Sequence, residues 1–258
     1  MSSEYPPFGD LPTLSEENGI RFLHFDSEWV QGAMRISRPS ELVLAYTRQM
    51  MAWLLFLTPR ARDRVGILGL GAGSLLRYMI RHTPAQVHTV ERNEQVTAMC
   101  RAFFRLPGSA RSVIDHDDAA HWIAQPDQND RFMALMVDLY DAGAQGPVCD
   151  SQEFYLDCYH ALAEVGIMTV NLFGRHESYA HNIRHISKAF KGRVLCLPEI
   201  DEGNVVVLAF KGPVLDISSQ RLLDRAHDVE QRHRLPAIRW ARELLSADGE
   251  TWRTDVKI

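Results

Sequence analysis

Three short acidic and glycine-rich clusters in this chain have the residue types and spacing to do chemistry. Gly69-Leu70-Gly71-Ala72-Gly73 lies between an apolar run, Val65 to Leu68, and a helical pattern that continues through Arg81. Glycines let the backbone bend and approach a ligand with no Cβ in the way, and the helix N-terminus beyond them presents free amides. A tight strand-to-helix turn also needs glycine, so this motif takes its meaning from the acidic residues downstream. Glu91 stands directly after the next apolar run, Val87 to Val90, eighteen residues beyond Gly73. A carboxylate there can accept hydrogen bonds from both ribose hydroxyls of a bound nucleoside. Ser74 and Leu75 succeed the third glycine, so the dinucleotide fingerprint is incomplete and a single nucleoside fits better. Asp117-Asp118 could accept from an adenine amino group, although adjacent carboxylates also suit a solvated loop. Asp138-Leu139-Tyr140-Asp141 comes immediately after the apolar run Phe132 to Val137, in the crevice where ligands of open α/β sheets lie.

Elements of two kinds must position these residues. Val65 to Leu68, Val87 to Val90, Val113-Ile114, Phe132 to Val137 and Ile167 to Asn171 read as short apolar strands. Helical patterns separate them: through Arg81, from Asn93 to Phe104, over Ala119 to Ile123, from Gln152 to Leu162 with a stop near Gly166, and then from His176 to Phe190. Repeated strand, helix, strand order over about 130 residues implies a parallel sheet covered on both faces. Val194 to Leu197 and Val205 to Phe210 are separated only by Pro198 to Asn204, too short for a crossover helix, so they form a hairpin and the last strand is antiparallel. An α/β chain with a mostly parallel seven-stranded sheet closed in this way resembles the Rossmann-like, class I methyltransferase fold of S-adenosylmethionine-dependent enzymes.

Three regions are expected. Residues 1–59 hold a polar leader to Asn18, strand-like segments at Arg21 to Phe25 and Trp29 to Ile36, and a helix. That helix begins near Pro39, with Ser40 as its cap, and carries Leu42, Tyr46, Met50, Trp53 and Leu54 at helical spacing. Residues 60–212 form the nucleoside-binding domain, and residues 213–258 a helical tail with helices at Ser218 to Gln231 and from Pro236. Of the 258 residues, 46% are hydrophobic and 24% charged, as in ordinary soluble globular proteins. With 28 Lys plus Arg against 33 Asp plus Glu, the net charge of -5 gives no general positive field to hold nucleic acid or an anionic membrane. Cys100, Cys149, Cys158 and Cys196 form no C-x-x-C pair and suit a reducing compartment. The leader has no signal-peptide pattern, and Met50 to Leu57 is far shorter than the ~20 apolar residues that span a bilayer, so a cytoplasmic location is expected.

Read in order, Gly69 to Gly73, Glu91, Asp118, Asp138-Leu139-Tyr140-Asp141-Ala142, Gly146-Pro147 and Glu153-Phe154-Tyr155 are similar to the landmarks of the spermidine synthase family of aminopropyltransferases. The resemblance covers about residues 20–212. It implies that Glu91 holds the ribose and Asp118 the adenine of decarboxylated S-adenosylmethionine, a co-substrate; no tightly bound cofactor and no metal is implied. It further implies that Asp138 helps deprotonate the attacking amine, that Asp141 and Tyr46 position a small amine acceptor, that Gln31 approaches the donor, and that the assembly is a homodimer. The chemistry stands on its own terms as well. An alkyl ammonium is a poor nucleophile until it loses a proton, and a carboxylate can both attract the cation and accept that proton.

The chain also departs from the family. Ala72 stands where the glycine loop usually has an aspartate that contacts the donor's ammonium. Tyr46-Thr47-Arg48 keeps only the tyrosine of the family's acceptor run, and Pro198 to Asn204 lacks a tyrosine but offers Glu199, Asp201 and Glu202. These departures raise two other possibilities: a methyltransferase using intact S-adenosylmethionine, which Ala72 favours, and a noncatalytic homologue that binds a nucleoside or polyamine. His181 and His185, four apart, lack the glutamate of a zinc-protease helix motif. Arg175 and His176 are expected to edge the pocket, Met50, Trp53 and Phe56 to belong to the core, and Cys149 and Cys158 to lack an activating partner.

Overall fold

The computed structural model describes residues 11–25, 30–140, 148–200, 203–246 and 255–257. The chain opens with a three-stranded antiparallel sheet of β1 (Pro12–Glu17), β2 (Ile20–Phe25) and β3 (Gly32–Arg35). A five-residue helix, α1 (Ala45–Gln49), runs directly into a 3-10 turn over Met50–Leu55. Alternating strands and helices come next: β4 (Arg64–Leu68), α2 (Ser74–His82), β5 (Gln86–Val90), α3 (Glu94–Phe103), β6 (Ser112–Asp115), α4 (Ala119–Ile123), β7 (Phe132–Val137) and α5 (Gln152–Ala161). The chain continues through β8 (Leu162–Phe173), α6 (Tyr179–Ala189), β9 (Val194–Cys196), β10 (Asn204–Lys211), β11 (Asp216–Ser218), α7 (Ser219–His233), α8 (Ala237–Leu245) and β12 (Asp255–Lys257).

Seven strands form the main sheet in the order β6-β5-β4-β7-β8-β10-β9. All neighbouring pairs among the first five are parallel, and β10 runs antiparallel to both β8 and β9. The expected fold class and hairpin are what the chain adopts. Strand residues divide between two cores with the period of two that a pleated sheet imposes. Val65, Ile67, Ala134, Met136, Val206 and Leu208 face the α2, α3, α7 and α8 side together with the 3-10 turn. Leu68, Leu135, Val137, Val205, Val207 and Ala209 face α4, α5 and α6.

The structure differs from the sequence-based expectation at four places. Pro12 to Glu17, expected within a polar leader, is strand β1, mostly exposed and paired with β2 through a two-residue turn. Asn18 and Gly19 adopt φ of 51° and 75°, the left-handed pair that a tight hairpin demands, so the Asn-Gly pair is the signal for this turn. Ser40 caps nothing: α1 starts after Leu44 with no side-chain cap. The apolar spacing from Leu42 to Leu54 therefore belongs to an irregular lead-in, a short helix and a 3-10 turn. Met50 to Leu55 are at most 1% exposed, so the turn is enclosed on all sides and burial cannot mark a helical stripe. Gly166 does not stop α5. Strand β8 begins at Leu162 with no intervening loop, and a register shift against β7 accommodates it. A Cβ at Gly166 would lie 2.9 Å from that of Leu162, which fixes glycine inside the irregular stretch. Finally, the tail adds a two-stranded pairing of β11 with β12 to the two expected helices.

Residue Trp53, fully buried on the 3-10 turn, joins α7, α8 and the sheet face. Trp53→Ala is expected to lower unfolding free energy by about 3–5 kcal/mol, seen as a lower urea midpoint with little change in m value. An unchanged midpoint would show that this turn is not part of the cooperative core.

Candidate active site

The chain order reverses between β4 and β7: β5 and β6 continue to one side of β4, and β7 lies on the other. At such a switch point the loops leaving neighbouring strands diverge and open a crevice. Gly69 leaves β4 with φ +94°, and a Cβ on it would come within 2.2 Å of the carbonyl oxygen of Asp138, the first residue after β7. The amide of Asp138 in turn donates to the Leu68 carbonyl at 2.9 Å. The two loops are thus in backbone contact at the base of the crevice, and only glycine permits it.

Above that contact lies a cavity of about 380 Å³. Gly69, Gly71, Gln31, Tyr46, Glu91, Asp118 and Asp138 all line it, so residues predicted from separate stretches of sequence converge on one space. Gly73 does not line the cavity; it takes φ +72° as the residue preceding α2 and shapes the turn from behind. Asp141 and the Gly146-Pro147 pair lie outside the described residues. Phe154 and Tyr155 are buried in the core beneath the site and take no part in the lining.

Glu91 extends from the end of β5. Its Oε2 accepts from the Leu70 amide at 3.1 Å and its Oε1 from the Asn93 amide at 2.8 Å. Burial raises its pKa above the ordinary value, while those two amides and the charges of Arg92 and His116 oppose the rise. The carboxylate is therefore locked in orientation with both oxygens at the cavity wall, as recognition of two vicinal hydroxyls requires. Asp118 precedes α4, and its Oδ1 accepts from the amides of Ala120 and His121. Its Oδ2 takes no hydrogen bond from a described residue, which leaves one acceptor beside the cavity. Asp117, also on the wall, pairs with His121 at 2.8 Å.

Asp138 is held from two sides. Asn171, near the end of β8, donates from Nδ2 to Asp138 Oδ1 at 2.9 Å, and the Tyr46 hydroxyl from α1 donates to the same carboxylate. Asn171 is itself fixed, because its Oδ1 accepts from Asn204 Nδ2 at 2.9 Å. Enclosure raises the Asp138 pKa above the usual carboxylate range, and the Asn171 and Tyr46 hydrogen bonds pull it back by favouring the ionised form. Burial and the neighbouring carboxylate push the Tyr46 phenol up, so it stays a donor. A carboxylate with an elevated pKa that remains hydrogen-bonded in its charged form is suited to take a proton from an amine.

Sequence reasoning missed several lining residues. Asn171 and Asn204 sit at the ends of apolar strands, where a polar residue in a buried run is the available signal. Phe25, Leu44 and Phe173 add apolar lining with no distinguishing sequence mark, beside Leu139 and Tyr140 of the predicted acidic motif. Cys149 also lines the cavity, with burial raising its thiol to about 11, so it is no thiolate nucleophile. Arg175 and His176, expected at the edge, do not line it. Arg175 pairs with Glu199 at 2.8 Å and His176 with Ser178. Glu199 is therefore neutralised outside the cavity, and Asp201 and Glu202 lie outside the described residues. His181 and His185 meet with ring centroids 3.9 Å apart and planes tilted by 57°, and His185 Nδ1 faces the Asp150 carbonyl at 2.9 Å. Ala72 is 2% exposed, lies against Gly32 and does not line the cavity.

A doubly wound sheet with this strand order and an acid-lined cavity at its switch point defines a Rossmann-like fold of the class I methyltransferase type. No protein-family profile matches the chain. It is 34% identical over 236 residues to the polyamine aminopropyltransferase of Neisseria meningitidis serogroup A, covering 90% of this chain and 87% of that protein. Among solved structures it is similar to a probable spermidine synthase from Corynebacterium glutamicum, with a TM-score of 0.70, 19% identity and coverage of 95% and 93% of the two chains. Human methyltransferase-like protein 13 shares the fold at a TM-score of 0.62 and 19% identity, over 75% of this chain and 94% of that one. The chain belongs to the polyamine aminopropyltransferase family.

The Asn171 contact makes a prediction. Asn171→Leu removes a donor to ionised Asp138, so the carboxyl pKa should rise further, by about one pH unit for a charge-assisted hydrogen bond. Carbon-13 NMR titration of the labelled Asp carboxyl groups would read this directly, and the acidic limb of the pH–rate profile should move to higher pH with it. A titration that superimposes on wild type would show that the amide does not stabilise the carboxylate.

Proposed function

We propose that this chain transfers the aminopropyl group of decarboxylated S-adenosylmethionine to a small amine, with Asp138 as the proton acceptor. The observation that carries this reading is that Glu91 and Asp138 open into the same cavity. Family membership and the name of the Neisseria relative support the class of reaction.

The step balances without any further reactant. The neutral amine nitrogen attacks the aminopropyl carbon bonded to sulfur, the C–S bond breaks, and its electron pair neutralises the sulfonium to give methylthioadenosine. The proton lost by the acceptor ammonium goes to Asp138 and from there to solvent. Glu91 and Asp118 hold the nucleoside, Gly69 and Gly71 allow its close approach, and Gln31 borders the donor tail. Tyr46 and Asn171 orient the base, and Asp141 anchors the amine. In-line alignment of nitrogen, carbon and sulfur between two opposed walls supplies much of the acceleration. Acidic groups suit both partners, since the donor carries a sulfonium and an ammonium and the acceptor arrives as a cation.

Ala72 favours a second reading, methyl transfer from intact S-adenosylmethionine, because the usual aspartate charge at that point is missing. Four free cysteines among the described residues suit the cytoplasm proposed here, and no described helix is long and apolar enough to cross a membrane. A homodimer forms part of the same proposal and is checked by light scattering of the eluted protein.

Calorimetry with decarboxylated S-adenosylmethionine, intact S-adenosylmethionine and methylthioadenosine separates the readings. Preference for the decarboxylated donor supports aminopropyl transfer, preference for the intact donor supports methyl transfer, and failure to bind any of them rejects both. Asp138→Asn is expected to abolish methylthioadenosine release, by at least about 100-fold for loss of a general base, while nucleoside affinity changes little. Full activity in that variant would remove Asp138 from the mechanism.

A further inference from the structure

Behind the glycine loop sits a buried cation that the chemistry described above does not use. Arg77, in the first turn of α2, is 3% exposed, and no carboxylate stands among its described partners. Its Nε donates to the Pro39 carbonyl at 2.7 Å, and its Nη1 donates to the carbonyls of Ala72 and, at 2.9 Å, Phe104. Nη2 reaches Ser74 Oγ at 3.4 Å. Burial lowers its pKa to about 10, so it remains charged at neutral pH. A buried guanidinium without a counter-charge is a costly way to hold three carbonyls together, and a purely packing role would be met as well by an apolar side chain.

What the three carbonyls belong to gives the cost a purpose. Ala72 lies between Gly71 and Gly73 in the glycine loop, where Cys100 Sγ also donates to the Gly71 carbonyl at 3.1 Å. Phe104 follows the last residue of α3, the helix whose Cys100 meets that loop. Pro39 begins the lead-in to α1, and Arg48 stitches this lead-in to the helix by donating to the carbonyls of Leu42 at 2.7 Å and Val43 at 3.1 Å. The same helix presents Tyr46 to Asp138. One planar fork therefore bridges the wall that receives the donor and the segment that orients the base.

We infer that Arg77 is a positioning residue that sets the register between the glycine loop and the Tyr46 segment, so that filling the donor site tightens the acceptor site. This rests on the proposed nucleoside site throughout and on aminopropyl transfer for its kinetic arm only. In the wild-type protein, methylthioadenosine should slow amide hydrogen exchange at residues 40–46 as well as at the glycine loop. Slowing confined to the loop would overturn the inference, whatever the enzyme transfers.

The kinetic arm uses Arg77→Lys, with Arg77→Gln if the lysine form does not fold. The folded variant should bind methylthioadenosine about tenfold more weakly and lose about tenfold in kcat, the scale expected for a small misplacement of reacting groups. Tyr46→Phe should then cost far less in the Arg77→Lys background than in wild type, because the hydroxyl is already out of place. Penalties that simply multiply, or a variant that loses thermal stability while keeping wild-type affinity and turnover, would leave Arg77 a structural residue only. A wild-type protein that binds nucleoside yet transfers nothing to any amine would instead count against the proposed function, with the exchange experiment still deciding the coupling.

Discussion

Every part of the candidate site depends on the backbone contact between Gly69 and Asp138 at the switch point. Two parallel strands deliver their next residues to the same level of the sheet, and the loops beyond them part because the chain leaving β4 crosses to β5 on one side and the chain leaving β7 crosses to β8 on the other. Glycine allows the first loop to lie directly on the carbonyl of the second. The spacing between the glycine loop and Asp138 is consequently fixed by main-chain geometry and not by flexible side chains. That is the condition under which orientation can contribute strongly to rate.

Electrostatics then act within this fixed frame. Glu91 and Asp138 are both enclosed enough for burial to raise their pKa values, and both receive donors that restrain the rise. At Glu91 the donors are two backbone amides, which hold an ionised carboxylate rigidly for recognition. At Asp138 they are side chains from α1 through Tyr46 and from β8 through Asn171, with Asn204 of β10 fixing Asn171 from behind. Asp138 is therefore tied to the relative placement of the N-terminal segment and the far half of the sheet. The buried Arg77 adds the glycine loop to that set of mechanically linked parts.

Much of this was legible in the order of residues, because it arises from short-range rules. The glycines of the first turn, Glu91 after β5, Asp118 before α4 and Asp138 after β7 each sit where strand-to-loop boundaries can be seen in apolar runs. The hairpin of β9 and β10 was legible from the length of its loop. What escaped depends on contacts between distant segments. Asn171 looks like any polar residue ending a strand until Asn204 and Asp138 are brought to either side of it. The apparent helix from Leu42 to Leu54 broke up because its residues are enclosed by α7, α8 and β8, a circumstance that periodicity cannot register. The β1 strand was missed for a different reason: its exposed face is polar, and the Asn18-Gly19 turn was the only clue.

The reversed direction of β10 has a consequence for how such a site can diversify. A parallel strand in that place would begin at the opposite rim of the sheet, but an antiparallel one brings Asn204, its first residue, level with Phe173 at the end of β8. Asn204, where β10 begins, lines the cavity, while the strand it opens is anchored by eight consecutive pairings with β8. Exchanges at the cavity end of β10 can retune which molecules fit while the remaining rungs of the ladder persist, so new selectivity and a constant framework need not compete.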